Sequence, residues 1–319
     1  MVVCNASETM QPASWLLLFS LLGFLSLLNL SFTFCRWIFI TFLRPPKNLN
    51  NYGSWALITG ATDGIGKAFA FQLAQKGLHL ILVSRNLAKL NEVSDEILSA
   101  YPWTKIKIFA IDFSGEDVVA GVRGMQKVIV GENLDVGVLV NNVGVTYPVA
   151  RYFHEVEQDV WIKVVKVNVE GTSLVTKAVI EGMVERKKGA IVNIGSGAAI
   201  VVPSHPLYAI YAASKAYIDQ LSRSLYVEYK SFGIDIQCQV PLYVSTKMAS
   251  QVAMVQKSSF FIPTAEEYVK AAIRQIGYES RCMPYWAHSI QWFFASMAPD
   301  SLLDAWRLSI GIQRGGYKT

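Results

Sequence analysis

Short apolar segments alternate with helical segments over most of the chain. Six segments lack strict polar and apolar alternation, as expected of strands buried on both faces of a parallel sheet. They cover residues 55–59, 78–84, 105–111, 136–140, 190–194 and 235–240. Between the first two, Ile65, Phe69 and Leu73 lie four apart and Gly77 follows, which predicts a helix ending there. The repeated order of strand and helix predicts an α/β fold with a doubly wound parallel sheet.

A different pattern precedes this region. No charged residue occurs between Thr9 and Cys35, and a helix needs about 20 apolar residues to cross a bilayer. A transmembrane helix is therefore predicted over about residues 15–35. A cleavable signal peptide is disfavoured, because the run exceeds the roughly 7 to 15 apolar residues of a signal core and no basic residue precedes it. Arg36, Arg44 and Lys47 follow the run, which places the downstream chain in the cytosol.

These patterns divide the chain into three predicted parts. Residues 1–50 form a membrane anchor and linker, residues 51–263 a catalytic domain, and residues 264–319 an apolar C-terminal extension. Thr264 and Glu267 have the spacing of a capping box, which opens a helix to about Gly277. Residues 285–299 are apolar but too short to span a bilayer. That segment packs on the domain, lines an apolar substrate channel or rests in the membrane interface.

Composition narrows the class of protein. Hydrophobic residues make up 52% of the 319 residues and charged residues only 17%, more apolar than is usual for a soluble enzyme. The four cysteines lack metal-ligand or disulfide spacing, so no metal site is predicted. The net charge of +5 is dispersed along the sequence, which disfavours nucleic-acid binding and is compatible with an anionic membrane surface.

Three glycines follow the first predicted strand and open the next helix. Gly60, Gly64 and Gly66 have the spacing G-x-x-x-G-x-G. In that context Gly60 permits a sharp turn, Gly64 lets backbone N–H groups approach a pyrophosphate, and Gly66 lets the helix pack closely on the strand. The positive end of the helix then faces the phosphates. The sequence therefore predicts a dinucleotide site, with loop-tightening glycines as the plainer alternative.

Residues at the ends of the next strands indicate which dinucleotide is bound. Arg85 follows the second strand, where a guanidinium suits a 2′-phosphate and an acidic residue would suit NAD. NADPH is therefore predicted, although a solvent-facing arginine at a helix start is the alternative. Asp112 ends the third strand, where its carboxylate can accept from the adenine amine. Asn141 opens the sequence NNVG at the end of the fourth, and Gly144 lets the chain pass close to the cofactor.

The sequence YAIYAASKAY contains three tyrosines and one lysine. Tyr211 and Lys215 are four apart and so share one face of a helix, whereas Tyr208 and Tyr217 are seven and two residues from the lysine. A phenol has a pKa of about 10, and a nearby ammonium favours its ionised form. Tyr211 is therefore the predicted proton donor, with Lys215 lowering its pKa and holding a ribose hydroxyl.

Two further residues complete a predicted catalytic set. Ser196 follows the fifth strand and can hold a substrate carbonyl oxygen where charge develops. Asn168 can anchor a water that connects Lys215 to solvent. A strand-end serine and a helix-capping asparagine are the ordinary alternatives for each alone. Together with a hydride donor, the set predicts a ketone reductase.

The sequences TGATDGIG, NNVG and YAASK, with Asn168 and Ser196, resemble the short-chain dehydrogenase/reductase family over Trp55 to about Thr246. YFHEV, CQVPLYVSTKM and the N-terminal apolar run narrow the resemblance to very-long-chain 3-oxoacyl-CoA reductases, most like the plant members. The resemblance implies a Rossmann-type fold and cofactor contacts from Gly60, Gly64, Ile65, Gly66, Arg85, Asp112, Asn141, Lys215, Val244 and Thr246. The family's Pro-Gly after the sixth strand is Pro241-Leu242 here, which weakens the transfer of contacts to Val244 and Thr246.

The resemblance also implies the biological role. It predicts NADPH-dependent reduction of long 3-oxoacyl-CoA to 3-hydroxyacyl-CoA in fatty-acid elongation, at the endoplasmic reticulum membrane with the catalytic domain in the cytosol. Expected partners are the acyl-CoA, membrane lipid and other elongase subunits. The C-terminal GGYKT lacks a paired-lysine retrieval signal. A 17-beta-hydroxysteroid-type ketone reductase and a non-catalytic scaffold of the elongase are the alternative functions.

Overall fold

The computed structural model describes residues 11–253 and 257–317. The ends of the predicted anchor and C-terminal parts, residues 1–10 and 318–319, lie outside this range. The chain divides into two compact units, one up to Pro45 and one from Pro46 onward. Helix α1 (Gln11–Ile38) and a π-helical turn (Phe39–Leu43) belong to the first unit. Residues Trp15–Leu43 are long and apolar enough to span a membrane, a longer stretch than predicted.

The second unit contains a parallel sheet and its covering helices. The strands are β1 (Trp55–Thr59), β2 (His79–Ser84), β3 (Ile106–Ala110), β4 (Val136–Asn141), β5 (Gly189–Ile194), β6 (Ile234–Gln239) and β7 (Arg281–Cys282). The helices are α2 (Gly64–Gln75), α3 (Leu87–Ala100), α4 (Val118–Gly131), α5 (Gln158–Val165), α6 (Gly171–Arg186), α7 (Ala209–Tyr229), α8 (Lys247–Ala253), α9 (Ala265–Arg274), α10 (Trp286–Ala295) and α11 (Asp300–Gly315).

The sheet order is β3-β2-β1-β4-β5-β6-β7, and every neighbouring pair is parallel. This confirms the predicted doubly wound fold. The chain reverses its direction of travel across the sheet between β1 and β4, and in such sheets ligands bind beyond the carboxyl ends of the strands at that reversal. The six predicted strands each lie within one residue of the observed bounds, whereas β7 was not predicted.

Alternate residues of the central strands fill two separate cores. On β1, Ala56 and Ile58 face one core and Trp55 and Leu57 face the other. The first core receives α2, α3 and α9, for example through Phe69 and Tyr268, and the second receives α4 and α6. Because both faces of the strands are covered, the apolar runs need no polar alternation. The carboxyl ends of the central strands therefore extend from a sheet that is packed on both faces.

The C-terminal part is more integrated than an appended segment. Helix α9 begins at the predicted capping box, where Thr264 and Glu267 bond reciprocally, and it contributes to the first core. In α10, Ala287 and His288 are fully buried, whereas Phe293 and Phe294 are exposed. Segment 285–299 thus packs on the domain through its first half. Helix α11, which sequence patterns did not predict, follows it.

Candidate active site

The glycine turn lies between β1 and α2, as predicted. Gly60 has φ of +66°, a conformation that L side chains rarely adopt, and its N–H bonds the Val83 carbonyl oxygen at 2.8 Å. A Cβ on Gly66 would overlap the Gly60 carbonyl oxygen. Asp63 caps α2 by accepting from Gly64 N–H at 2.8 Å. The turn therefore presents backbone at the positive end of α2, where nothing larger than glycine fits at position 66.

Asn142 secures this turn, although sequence reasoning did not single it out. Its Nδ2 donates to the carbonyl oxygens of Thr59 at 3.1 Å and Gly60 at 3.2 Å. The Thr59 hydroxyl in turn accepts from the backbone N–H groups of Asn142 at 3.0 Å and Val143 at 3.1 Å. These bonds join the ends of β1 and β4 at the reversal point of the sheet. Asn142 is thus a positioning residue for the glycine turn.

The preceding residue, Asn141, does not fit its predicted role through its side chain. That side chain is buried, and its Nδ2 donates to Thr176 Oγ1 and Asn193 Oδ1, both at 2.8 Å. Successive residues of a strand point to opposite faces, so Asn141 faces the interior while Asn142 faces the turn. The Asn141 side chain therefore has a structural role, and its predicted cofactor contact, which would come from the backbone, stays a prediction.

Arg85 and Asp112 lie at the carboxyl ends of β2 and β3, and both are exposed. Asp112 Oδ1 accepts from Ser114 N–H at 2.9 Å and from Ser114 Oγ at 2.7 Å. These bonds, with a smaller contribution from the Arg85 charge, lower the pKa of the Asp112 carboxyl. Asn86 caps α3 by accepting from Lys89 N–H at 3.0 Å. Arg85 therefore lies between the end of β2 and the capped start of α3, near the Asp112 carboxylate.

The predicted catalytic residues lie near the carboxyl ends of β4 and β5. Lys215 is buried in α7, and its Nζ donates to the Ile194 carbonyl oxygen at 2.9 Å. A Cβ on Gly144 would lie 3.4 Å from Lys215 Nζ and 3.5 Å from Asn168 Oδ1. The structure thus brings Gly144, Asn168 and Lys215 together at the ends of β4 and β5.

Asn168 lies in a π-helical turn, Lys166–Glu170, between α5 and α6. Its Oδ1 accepts from Val145 N–H at 2.8 Å, and its Nδ2 donates to the Val145 carbonyl oxygen at 3.0 Å and to Ser214 Oγ at 2.9 Å. π-Helical turns commonly occur at functional sites. The side chain joins the strand-end loop to α7 one residue before Lys215. Its predicted water-anchoring role would therefore fall to the backbone of this turn.

Ser196 and Tyr211 face each other next to Lys215. Ser196 caps a short 3₁₀ turn, with its hydroxyl accepting from Ala198 N–H at 3.2 Å. Burial raises the pKa of the Tyr211 phenol, and a side-chain hydrogen bond with Ser196 opposes that rise. Burial also lowers the pKa of Lys215 to about 8. At Tyr211 burial outweighs the hydrogen bond with Ser196, and the expectation that Lys215 lowers the Tyr211 pKa stays a prediction.

The segment after β6 lies against the glycine turn and Gly197. Val244 is buried, and Thr246 lies against the glycine turn, where a Cβ on Gly64 would be 3.0 Å from its Cγ2. Leu242 occupies the space next to Gly197, where a Cβ on Gly197 would overlap its Cδ2. The replacement of the family's glycine by Leu242 is thus accommodated by Gly197. Ile65, in the first turn of α2, is half-buried and packs against the first core.

His288 of α10 holds this segment in place, a role that no sequence motif indicated. Leu242 N–H donates to its Nδ1 at 3.3 Å, and its Nε2 lies 3.2 Å from the Tyr243 carbonyl oxygen. The ring is therefore neutral, with its proton on Nε2. Burial lowers its pKa to about 4, against opposing hydrogen bonds to backbone carbonyls.

We expect the free energy of unfolding to fall as pH drops from about 6.5 to about 4. The unfolded His288 binds a proton in that range while the folded one does not, and a shift of this size corresponds to about 3 kcal/mol. Denaturant unfolding at a series of pH values measures it. A His288→Gln variant, which does not titrate, should show a shallower decline than the unmodified chain. Equal slopes would contradict the assignment.

Comparison with known proteins agrees with this geometry. Residues 54–256 match the family model for short chain dehydrogenase, so the chain belongs to the short-chain dehydrogenase family and is an oxidoreductase. It is 58% identical to a very-long-chain 3-oxoacyl-CoA reductase-like protein of Arabidopsis thaliana over 92% of this chain and 93% of that protein. It is 41% identical to very-long-chain 3-oxoacyl-CoA reductase of Mus musculus, covering 77% and 76%.

The chain is also similar to a protein named inactive and to solved dehydrogenase structures. The chain is 42% identical to inactive hydroxysteroid dehydrogenase-like protein 1 of Homo sapiens, over 80% of this chain and 75% of that protein. Among solved structures, a 7beta-hydroxysteroid dehydrogenase has a TM-score of 0.71 at 23% identity, covering 82% of this chain and 99% of that one. A short-chain dehydrogenase from Sphingobium yanoikuyae in complex with NADPH has a TM-score of 0.64 at 25% identity, covering 78% and 95%.

The groove fits a nicotinamide cofactor. Gly60, Gly64 and Gly66 carry no side chain at the start of α2, where a pyrophosphate would bind, and Gly144 carries none next to Lys215. Arg85 and Asp112 are exposed at the adenosine end, and Ser196, Tyr211 and Lys215 lie at the other end. The residues are therefore distributed along the groove as the two halves of a dinucleotide require. Among the described residues, no group of acidic, histidine or cysteine side chains could hold a metal ion.

Proposed function

We propose that this protein reduces very-long-chain 3-oxoacyl-CoA to 3-hydroxyacyl-CoA with NADPH. The observation that carries the proposal is the grouping of Ser196, Tyr211, Lys215 and Asn168 beside a dinucleotide groove, in a chain whose 58% identical relative is named for this reductase. NADPH when bound would supply a hydride to the ketone carbon. The remaining chemistry belongs to residues of the chain.

Ser196 and Tyr211 would bind the ketone oxygen with their hydroxyl groups. Negative charge develops on that oxygen as the carbonyl is reduced, and positioned donors stabilise it. Tyr211 then donates its proton to the oxygen. Its raised pKa keeps the phenol protonated before reaction, which suits an acid.

Lys215 would replace the proton that Tyr211 gives up. Its lowered pKa, about 8, makes the ammonium a better proton donor than an exposed lysine at neutral pH. Asn168 fixes α7 through Ser214 at 2.9 Å, and thereby the position of Lys215. Asn168 and Lys215 are both buried, which restricts the movement of these two side chains.

The preference for NADPH rests on Arg85. Its exposed guanidinium at the end of β2 is suited to a 2′-phosphate. We expect Arg85→Ser to lower kcat/KM for NADPH by about tenfold or more, equivalent to about 1.4 kcal/mol, with much less effect for NADH. Steady-state rates with each cofactor measure this. Lys89→Ser, on the exposed side of α3, is the control, and an equal loss with both cofactors would contradict the role of Arg85.

The first unit supports a proposal for where the enzyme is located. Residues Trp15–Leu43 would anchor it in a membrane, and the basic residues Arg36, Arg44 and Lys47 favour a cytosolic catalytic unit. We propose the endoplasmic reticulum, in contact with membrane lipid and other elongase subunits, because the similar proteins are named for very-long-chain substrates. An acyl chain partitioned in lipid would seldom reach an enzyme free in solution.

One experiment separates the proposed function from its rivals. Oxidation of NADPH by the detergent-solubilised full chain is measured with 3-oxoacyl-CoA of several lengths and with steroid ketones, alone and in competition. Preference for the long 3-oxoacyl-CoA is expected. Preference for a steroid would favour the hydroxysteroid reductase alternative. Absence of oxidation with every ketone would favour the non-catalytic scaffold, which the relatives named inactive make a concrete possibility.

A further inference from the structure

Helix α11 covers the segment that leads into α7 and Tyr211. Leu207 in that segment has φ of +64°, and a Cβ on Gly311 would lie 3.1 Å from Leu207 Cδ1 and 3.4 Å from the Pro206 carbonyl oxygen. Ser204 also donates to Asp304 of the helix. Gly311 therefore allows α11 to approach this backbone closely, next to the start of α7.

Two arginines of α11 point to the same region, because seven residues correspond to about two helical turns. Arg307 Nη2 lies 2.8 and 2.7 Å from the two ring nitrogens of His205. Arg314 Nη1 donates to the Tyr243 hydroxyl at 3.0 Å, with its guanidinium 5.6 Å from the centre of that ring. The two positive charges thus flank a neutral imidazole and a phenol.

These charges have no acidic partner in the described part of the chain. No carboxylate of residues 11–253 and 257–317 forms an ion pair with Arg307 or Arg314. Arg307 is only 8% exposed, and its buried Nε has no hydrogen-bond partner. A buried cation without a counter-charge is costly for the fold. Such a cluster is suited to binding a negatively charged or negatively polarised oxygen.

Tyr243 connects the cluster to the catalytic residues. It follows Leu242, which packs on Gly197 immediately after Ser196. Although burial opposes it, the arginines lower the pKa of Tyr243, and the charge of Tyr243 in turn raises the pKa of Tyr211. The two phenols are therefore close enough to interact electrostatically. Tyr243 is half-buried rather than enclosed, which leaves it accessible to a substrate.

We propose that Tyr243, Arg307 and Arg314 bind an oxygen of the thioester half of the substrate. This inference rests on the proposed function. A 3-oxoacyl thioester carries a second carbonyl two carbons from the ketone, and its CoA carries phosphates. The thioester carbonyl oxygen or a phosphate oxygen could accept hydrogen bonds from the two arginines. The hydrocarbon end of the substrate would remove water from the arginines and offer no such bond. The cluster thereby orients the substrate, with its thioester half toward α11 and its acyl tail elsewhere.

The test compares three substrates that share one acyl chain. They are the 3-oxoacyl-CoA, the 3-oxoacyl thioester of N-acetylcysteamine, which has no phosphates, and a methyl ketone of equal length, which has no thioester. We expect Arg314→Gln and Tyr243→Phe to raise KM for 3-oxoacyl-CoA by at least about tenfold more than for the methyl ketone. Arg123→Gln, an exposed residue of α4, is the control and should change none of the three.

The N-acetylcysteamine thioester shows which substrate oxygen the arginines and Tyr243 bind. If KM for the N-acetylcysteamine thioester rises as for the CoA substrate, the cluster binds the thioester carbonyl. If it rises only as for the methyl ketone, the cluster binds a phosphate. Equal changes for all three substrates would overturn the inference and leave a structural role. A full-length unmodified chain that reduces the methyl ketone but neither thioester would instead refute the proposed function. Tyr243→Phe conserves volume, so the test holds if Arg314→Gln does not fold.

Discussion

Replacing Tyr211 by phenylalanine should reduce turnover about a thousandfold, within the range that a positioned acid contributes, while NADPH still binds. The phenol is the group that bonds Ser196 and lies beside Lys215 on α7. Its removal leaves the ketone oxygen without a proton donor but leaves the glycine turn intact. Steady-state reduction of 3-oxoacyl-CoA gives the rate, and quenching of NADPH fluorescence by titration gives the affinity.

The same helix provides a matched control. Tyr217 also lies on α7, and its hydroxyl bonds Ser173 Oγ at 2.9 Å on the exposed side. Tyr217→Phe removes the same atom from the same helix and should retain normal turnover. Normal turnover in Tyr211→Phe itself would exclude the phenol as the acid and with it the proposed mechanism.

Replacing Gly66 by alanine should weaken cofactor binding by at least about tenfold, or about 1.4 kcal/mol. The added Cβ overlaps the Gly60 carbonyl oxygen and also meets Asn142 Nδ2. Because the main obstacle is backbone, the start of α2 must move away from β1, and its N–H groups leave the position that a pyrophosphate needs. Fluorescence titration of NADPH against the variant measures the loss.

Gly124→Ala separates this steric effect from the general effect of filling a helical glycine. Gly124 lies in α4, and no atom lies within 4 Å of a Cβ added there. Alanine is favoured over glycine in helices by about 0.5–1 kcal/mol, so this variant should melt at a slightly higher temperature and bind NADPH normally. Unchanged NADPH affinity in Gly66→Ala would show that the turn tolerates a side chain.

The sequence was sufficient to predict most strands of the sheet. Buried parallel strands are continuous apolar runs, whereas the helices between them have apolar residues three or four apart. It failed at β7, whose two residues, Arg281 and Cys282, are too few to produce a pattern. It also failed at α11, where one face of the helix is apolar and exposed, as at Leu302 and Trp306. Such elements are defined by their tertiary neighbours rather than by local periodicity.

The sequence predicts which side chains are neighbours where helical spacing alone determines their positions. It does not do so where the direction of a side chain depends on tertiary structure. The four-residue spacing of Tyr211 and Lys215 is a property of any helix. Asn141 and Asn142 are adjacent and chemically identical, and only the register of β4 determines which side chain reaches the glycine turn. His288 and Tyr243 are 45 residues apart, so no local signal relates them. The pKa of Tyr211 depends on burial, which the sequence does not show.

The division of the chain at Pro45 has a practical consequence. Every residue assigned to the cofactor groove, the proton donor and the arginine cluster belongs to the unit that begins at Pro46. The proposed catalytic residues and the candidate membrane span therefore lie in separate parts of the polypeptide. Replacing residues before Pro46 by a foreign transmembrane helix would leave every proposed catalytic residue in the chain.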